Sequence, residues 1–341
     1  MVRGAIGSGE SPASGVTTDS SQPAKFRTRC LVAFQVLVSA GLLGWLFIQS
    51  DFRRDLASVL LSARWEWLCG AFLTAGVVQG LCLVRWRIFL GMVGLSLGWK
   101  ETCGIFFAGL FCNLILPGAA GGDVVRIGLL AARKRDIGLA SLSVLMDRLA
   151  GSLGMILVGS TLIISEWRWL SQSHIVANVS TGILVWFAVL GTGLGLSLVL
   201  AKSSVVGCLP MKFPGRTKLV SLAAVYRQCG IQWPHTLLAV AVSCIMLVLY
   251  FLVFAFAGRA YGVEMPIWQF LALMPAVDII SALPVSLGGF GVRESLFVLL
   301  LGQLAAVPSA VAVSISLCGY IVNALWALPG AALWMLREPK K

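Results

Sequence analysis

One short motif occurs twice in this chain and limits how the chain can fold. Residues 116–126 read LPGAAGGDVVR and residues 283–293 read LPVSLGGFGVR, so six residues recur at identical spacing, 167 positions apart. In both copies an apolar run ends at Leu-Pro, passes through glycines and resumes behind an arginine. Proline removes a backbone donor, and glycine lets the chain reverse. Each copy is therefore predicted to be the tip of a helical hairpin that is buried in protein or lines a wet cavity within a membrane.

The composition identifies the class of protein. Of 341 residues, 58% are hydrophobic and 12% are charged, and the mean hydropathy is +0.92. Because soluble domains carry about a quarter charged residues, we predict an all-α polytopic membrane protein. The net charge of +12 comes from Lys and Arg that flank apolar segments, so nucleic-acid binding is not expected. The nine Cys form no C-x-x-C motif or Cys/His cluster, so no metal site or cofactor is predicted.

Six apolar segments are long enough to cross a membrane. They cover residues 30–49, 65–84, 137–165, 175–201, 234–257 and 308–336. Trp65 and Trp67 open the second segment and the Arg-Trp-Arg run at 85–87 closes it, a pattern typical of the membrane interface. The chain then divides into a disordered cytoplasmic tail, a first membrane repeat, a basic cytoplasmic loop and a second membrane repeat. These parts span residues 1–29, 30–201, 202–233 and 234–341.

Two shorter apolar regions contain the Leu-Pro turns, and we predict a re-entrant hairpin in each, near residues 101–131 and 266–307. If the first of them crossed the membrane completely, the basic cluster at 133–135 would lie outside, against the positive-inside tendency. A hairpin that enters and leaves on the cytoplasmic side removes this conflict. The resulting topology has both termini in the cytoplasm and places 19 of the 26 Lys and Arg residues there.

The repeat extends beyond the two motifs. A shift of 167 residues also carries the second span onto the fifth and the third span onto the sixth. Each half then holds three spans, an odd number, so the halves are predicted to have opposite orientations, with one hairpin dipping from each face. The predicted fold is six transmembrane helices plus two re-entrant helical hairpins arranged as an inverted repeat. Many transporters with this plan bind substrate near the membrane midplane, where broken helices meet.

Ionisable residues within the apolar segments indicate the site. Charged groups at such depth are costly, and they usually face a cavity and pair with one another. For Arg126 and Arg293 we predict binding of a lipid phosphate, because exposed glycine N–H groups, a helix dipole and a guanidinium together suit an oxyanion. The candidate substrate-binding residues are Asn113, Gly121, Gly122, Asp123, Arg126, Arg148, Gly288, Gly289, Arg293 and Glu294.

The acidic residues allow more than one interpretation. Asp147 or Glu294 would neutralise an arginine and hold the hairpins in place if its role is structural. Asp147 and Asp278 are candidates for proton or ion coupling, and Asp278 alternatively pairs with Arg148. Asn113 is expected either to cap the first hairpin by a hydrogen bond or to join neighbouring helices.

Three segments carry a resemblance to a known family: FCNLILPGAAGGDVVR, SVLMDRLAG and ALPVSLGGFGVRES. The chain resembles the lysylphosphatidylglycerol synthase transmembrane region family, which is the membrane half of the bacterial multiple peptide resistance factor. The resemblance runs from about residue 30 to 336 and implies flippase-like movement of modified or phosphate-bearing lipids in a bacterial inner membrane. Lysyl-transferring relatives carry a soluble catalytic domain after this region. This chain stops at Lys341 and is not expected to aminoacylate lipid itself. The family's signature polar residues fall on Asn113, Asp123, Arg126, Asp147, Arg148, Arg293 and Glu294.

Three functions remain open at this point. The first is a lipid translocase in which Arg126 and Arg293 hold a headgroup phosphate from opposite faces. The second is an integral-membrane transferase that uses an acid such as Asp123 as base toward a lipid-linked donor. The third is a small-anion or proton-coupled transporter, which needs a closed vestibule where a lipid carrier needs a lateral slot. The expected partners are the membrane and an anionic, aminoacylated or polyprenyl-phosphate-linked lipid. A separate lipid-modifying enzyme and a homo-oligomer are further candidates.

Overall fold

The computed structural model describes residues 37–42, 44, 59, 62–115, 121–134, 136–202 and 216–335. Within these ranges the regular elements are helices and no strand occurs, which confirms the predicted all-α class. The helices are α1 (Trp65–Met92), α2 (Trp99–Ile115), α3 (Gly121–Lys134), α4 (Ile137–Ser165), α5 (Trp167–Leu170), α6 (His174–Lys202), α7 (Arg216–Ile231), α8 (Trp233–Ala260), α9 (Ile267–Ala282), α10 (Val292–Ala305), α11 (Ser309–Leu325) and α12 (Leu328–Met335).

Five helical segments of the described chain are long and apolar enough to cross a membrane: α1, α4, α6, α8, and α11 with the start of α12. Their surfaces carry exposed apolar side chains, such as Leu157 on α4 and Val189 on α6, as helices that face lipid do. The first predicted span, residues 30–49, lies mostly outside the described residues, as do the tail 1–29 and residues 203–215 of the basic loop. The last predicted span, 308–336, consists of two helices that meet at Trp326 and Ala327.

Helices α1 and α8 pack side by side in antiparallel directions. Near one end, the Cβ that Gly70 lacks would lie 3.6 Å from the Phe256 ring. Near the other end, Arg85 Nη1 donates a hydrogen bond to Ser243 Oγ over 3.0 Å. Residue numbers therefore rise along one helix as they fall along the other. These two helices are the second and fifth spans that the sequence repeat relates.

Both Leu-Pro regions are flanked by pairs of antiparallel helices. In the first pair, an ion pair of 3.6 Å joins Glu101 on α2 to Arg133 on α3, and Gly122 lies against Gly109 nearer the turn. The turn itself, residues 116–120, lies outside the described residues. That these hairpins are re-entrant, and that the halves are inverted, stay predictions.

The second helical pair, α9 and α10, is described without a gap. The connection between them needs glycine, because Gly288, Gly289 and Gly291 have φ values of +61°, +83° and +84°. Only glycine adopts such angles without strain, so the predicted reversal at this motif is explained by its three glycines. The pair docks on α8 through Phe297, whose ring stacks on the ring of Phe254 at 5.7 Å between centroids.

One sequence-based boundary is wrong. The run at 85–87 was expected to end the second span at the membrane interface, but α1 continues to Met92. Arg85 is only 7% exposed and Trp86 is fully buried. The reason is that partners on α4 and α8 satisfy the Arg85 guanidinium inside the bundle, so this arginine does not need water.

Candidate functional site

A cavity of about 480 Å³ lies between helices of both halves of the chain. Its walls come from α1, α2, α3, α4, α6, α8 and the C-terminal turn of α9. Most of the lining is apolar, with residues such as Met155 and Leu247. The charged residues of the lining are Arg85, Asp123, Arg126, Asp147, Arg148 and Asp278.

Five of these charged residues form one alternating chain. Arg85 Nε lies 2.8 Å from Asp147 Oδ1, and Arg126 Nη1 lies 3.6 Å from Asp147 Oδ2. Arg126 Nη1 also lies 3.9 Å from Asp123 Oδ1, and Arg148 Nε donates to Asp123 Oδ2 over 2.6 Å. Three guanidinium groups thus share two carboxylates. The chain of ion pairs carries one positive charge in excess, and with Asp278 the whole lining holds three arginines and three aspartates.

Exposure differs along this chain of ion pairs. The side chains of Arg85 and Arg126 are 8% and 12% exposed, whereas that of Arg148 is 53% exposed. Arg126 is further held by aromatic faces, with its Cζ 4.7 Å from the Trp86 ring centroid and 4.5 Å from that of Phe106. Arg126 is therefore fixed in the wall, and Arg148 offers the more accessible guanidinium.

Asn113 ties the two helices of the first hairpin together. Its Oδ1 accepts a hydrogen bond of 2.7 Å from the backbone N–H of Gly122, so the expected hydrogen bond to the hairpin is present. This bond corrects another expectation, because the N–H of Gly122 is occupied and does not face a ligand. Gly122 serves close packing, since a Cβ there would lie 2.2 Å from the carbonyl oxygen of Gly109. Gly121, the first residue of α3, is partly exposed.

Glu294 is fully buried at the start of α10. Its Oε2 accepts from the Gly291 N–H over 2.6 Å, and its Oε1 accepts from the Ser316 hydroxyl over 2.8 Å. Both oxygens are thus occupied within the protein, where they cap α10 and hold it to α11. This geometry supports a structural role, although the expected arginine partner is replaced by a backbone N–H and a hydroxyl.

Arg293 is not among the described residues that line the cavity, but it is a charged neighbour of Asp278, which does line it. Its Nη2 would lie 3.3 Å from a Cβ on Gly289, and its Cζ lies 5.4 Å from the Tyr320 ring centroid. Of the two hairpin arginines, Arg126 lines the cavity directly and Arg293 borders it only through Asp278. Gly288 is exposed and Gly289 is buried beside Ser281.

Asp278 also lines the cavity, from α9. Its Oδ1 accepts a hydrogen bond of 3.1 Å from the Tyr250 hydroxyl on α8. Asp147, the other acid considered for coupling, is held by two arginines instead. Among the described residues no group of three or more His, Cys, Asp and Glu side chains is placed to hold a metal ion.

Sequence reasoning missed Arg85, Ser243 and Tyr250. Arg85 stands next to Trp86 and Arg87, and such a cluster at the end of an apolar run normally marks an interface. The signal that could have identified it is Asp147 at mid-helix, because a buried carboxylate needs a basic partner and Arg85 can supply one.

Comparison with known proteins gives a family match. Residues 32–330 match the family model described as "Lysylphosphatidylglycerol synthase TM region". The matched range includes both hairpins and all the candidate site residues, and it confirms the resemblance seen in the motifs. A UPF0104 membrane protein of Archaeoglobus fulgidus is 29% identical over 96 residues, which are 28% of this chain and 29% of that protein. The similarity thus spans less than a third of the relative's length.

Proposed function

Because the chain belongs to the lysylphosphatidylglycerol synthase TM region family, we propose that it moves an anionic lipid between the leaflets of a membrane. The observation that carries this proposal is the buried chain of ion pairs, with three arginines and two aspartates beside a cavity of about 480 Å³. A phosphate that enters the cavity beside this chain of ion pairs would balance the excess charge of the chain and accept hydrogen bonds from its guanidinium groups. The expected cargo is an aminoacylated or polyprenyl-phosphate-linked lipid in a bacterial inner membrane, with both protein termini in the cytoplasm.

The shape of the cavity favours a lipid over a small soluble anion. Arg148 and Ser152 on α4 and Trp186 on α6 line the cavity and are exposed near the middle of their helices. At this level a membrane-crossing helix faces hydrocarbon, so an opening of the cavity at these residues would face lipid tails. A headgroup could enter by this route while its acyl chains remain in the bilayer.

The packing of the halves supports an alternating mechanism. The antiparallel contact of α1 with α8 is the arrangement expected if the two halves are inverted copies. Rocking at this contact would expose the cavity to one leaflet and then to the other. The two predicted re-entrant hairpins would meet at the site, with α2 and α3 on one wall and the end of α9 on another.

The residues have distinct proposed roles. Arg148 makes the first contact with the phosphate. Arg126, which lies against the Trp86 and Phe106 rings, supplies a fixed positive charge in the cavity wall. Arg293 receives the phosphate on the side of the second hairpin when the halves move. Of the two acids considered for coupling we retain Asp278, because Asp147 is already neutralised by Arg85 and Arg126.

Reconstitution in liposomes tests the proposal. Headgroup-labelled phospholipids and polyprenyl phosphates are placed in both leaflets, and a membrane-impermeant quencher reports how fast the inner label becomes accessible. We expect protein-containing liposomes to exchange at least one of these lipids faster than empty liposomes. A second arm measures efflux of entrapped radiolabelled phosphate. Lipid exchange equal to that of empty liposomes would contradict the proposal, and efflux of phosphate without lipid exchange would replace it with a carrier of soluble anions.

A further inference from the structure

Asp278 differs from the other carboxylates of the cavity in its partners. Asp123 and Asp147 form ion pairs with arginines, whereas the ion pairs of the described residues do not include Asp278. Its Oδ1 accepts a hydrogen bond from the Tyr250 hydroxyl over 3.1 Å. Asp278 is partly exposed and lines the cavity. It is therefore the lining carboxylate that can take up a proton from the cavity without breaking an ion pair.

The surroundings of Asp278 act in opposite directions on its charge. Arg293 is a charged neighbour and Tyr250 donates to the carboxylate, and both favour the ionised form. The apolar side chains of the lining, such as Leu247 and Ile279, and the nearby C-terminal end of α9 favour the neutral form. Neither protonation state is thus locked by its contacts.

The other ionisable groups around the cavity already have partners. Both oxygens of Glu294 accept hydrogen bonds, and Cys82 Sγ lies 3.0 Å from Met246 Sδ. Helix α6, which also packs on α9, has no ionisable residue between its two ends. The ionisable groups of the cavity wall and of the elements packed on α9 are Cys82, Arg85, Asp123, Arg126, Asp147, Arg148, Tyr250, Arg293 and Glu294.

A proton suits Asp278 better than a metal cation. Metal cations such as Ca²⁺ and Mg²⁺ need several oxygen ligands, and among the described residues no group of three or more His, Cys, Asp and Glu side chains could supply them. The positive charge of Arg293 nearby would also repel a cation.

We propose that Asp278 binds one proton together with each anionic headgroup, so that lipid translocation is coupled to proton movement in the same direction. With all groups ionised, the described lining holds three arginines and three aspartates. Protonation of Asp278 removes a negative charge from this lining and strengthens binding of an anion. By reciprocity, a bound anion favours protonation. The inference rests on the proposed function, because the headgroup must enter the cavity.

Proton uptake on binding tests this linkage. Purified protein in neutral detergent binds dihexanoyl phosphatidylglycerol, whose phosphodiester keeps one negative charge between about pH 6 and pH 9. Titration calorimetry in two buffers of different ionisation enthalpy gives the affinity and the protons taken up per bound lipid. Asp278→Asn, which keeps the size of the side chain and stays neutral, is compared with Glu264→Gln. Glu264 is an exposed acid outside the described lining.

We expect the wild type and Glu264→Gln to take up a proton on binding and to lose affinity about tenfold or more from pH 6 to pH 9. Asp278→Asn should take up none and vary in affinity by less than about twofold. Equal pH dependence in the wild type and Asp278→Asn, or none in the wild type, would overturn the proposal. If Asp278→Asn does not fold, Tyr250→Phe decides. It loses a donor to the ionised carboxylate, so its affinity should fall at a higher pH than that of the wild type, and no upward shift would overturn the proposal.

Liposomes with a pH difference across the membrane separate this inference from the proposed function. The wild type should move labelled lipid from the acidic to the alkaline side faster than in reverse, whereas Asp278→Asn should show equal rates. Wild-type exchange that exceeds that of empty liposomes but ignores the pH difference would overturn the coupling and leave the translocase standing. Proton uptake on binding without any lipid exchange would refute the translocase and leave only proton-linked binding.

Discussion

The pairing of Arg85 with Asp147 leads to a quantitative prediction about stability. Arg85 donates to Asp147 over 2.8 Å and to Ser243 over 3.0 Å, and so joins α1 to α4 and α8. Removing one partner of a buried ion pair costs about 3–5 kcal/mol, because the other charge is left uncompensated. Here Arg126 remains 3.6 Å from Asp147 and reduces that cost. We therefore expect Arg85→Met to lower the free energy of unfolding by about 2–3 kcal/mol.

A double-mutant cycle separates the pair from other effects of substitution. Arg85→Met, Asp147→Leu and the double variant are unfolded reversibly in mixed micelles by added SDS, with tryptophan fluorescence as the signal. The expected coupling energy is about 1–3 kcal/mol. The control cycle uses Arg133 and Glu101, an ion pair of 3.6 Å whose side chains are 35% and 53% exposed. Exposed pairs contribute at most about 1 kcal/mol.

Comparison of the two cycles shows whether the buried ion pair stabilises the protein more than the exposed one. If the Arg85–Asp147 coupling energy does not exceed that of the Arg133–Glu101 pair, the buried chain of ion pairs does not stabilise the junction of α1, α4 and α8. The description of Arg85 as an interior residue would then be wrong, and the original assignment of residues 85–87 to the membrane interface would be favoured.

Three further predictions concern the hairpins. Gly122→Ala should lower the free energy of unfolding by about 1–3 kcal/mol, because its Cβ would meet the Gly109 carbonyl oxygen at 2.2 Å. The control is Gly128→Ala, whose Cβ would have nothing within 4 Å. It should be neutral or stabilising in the same SDS titration. Asn113→Ala should lower the free energy of unfolding by about 1 kcal/mol, because the hydrogen bond from the Gly122 N–H is lost. An unchanged unfolding midpoint would contradict the capping role. Glu294→Gln should lower the free energy of unfolding by about 1–3 kcal/mol and leave lipid exchange per folded molecule unchanged. A selective loss of lipid exchange would instead give Glu294 a role in transport.

Much of the helix arrangement could be predicted from the sequence because hydrophobic length and basic flanks are local signals. The predicted span 137–165 coincides with α4, and the predicted spans 175–201 and 234–257 agree with α6 and α8 to within three residues at each end. The prediction for the second span stopped eight residues short of Met92. An arginine inside an apolar helix cannot be distinguished from one at its end until its partners on other helices are known.

The candidate site could be predicted in part. Depth in apolar segments identified Asp123, Arg126, Asp147 and Arg148, and these four residues do lie together. Their pairing order could not be predicted, because it depends on how α3, α4 and α1 are rotated against one another. The separation of Arg293 from this group was missed for a related reason. The repeat makes Arg126 and Arg293 equivalent in sequence, but Arg126 forms ion pairs with Asp123 and Asp147, whereas Arg293 lies beside the Tyr320 ring.

The most direct test of the central claim is the initial rate of labelled-lipid exchange by Arg148→Gln, compared with Arg168→Gln in the same liposomes. Both substitutions remove one exposed arginine, but Arg168 belongs to the short helix α5, away from the cavity. If a lipid phosphate passes through the cavity, Arg148→Gln should exchange lipid about tenfold more slowly or worse, while Arg168→Gln keeps the wild-type rate. Equal rates for the two variants at equal amounts of folded protein would contradict the claim.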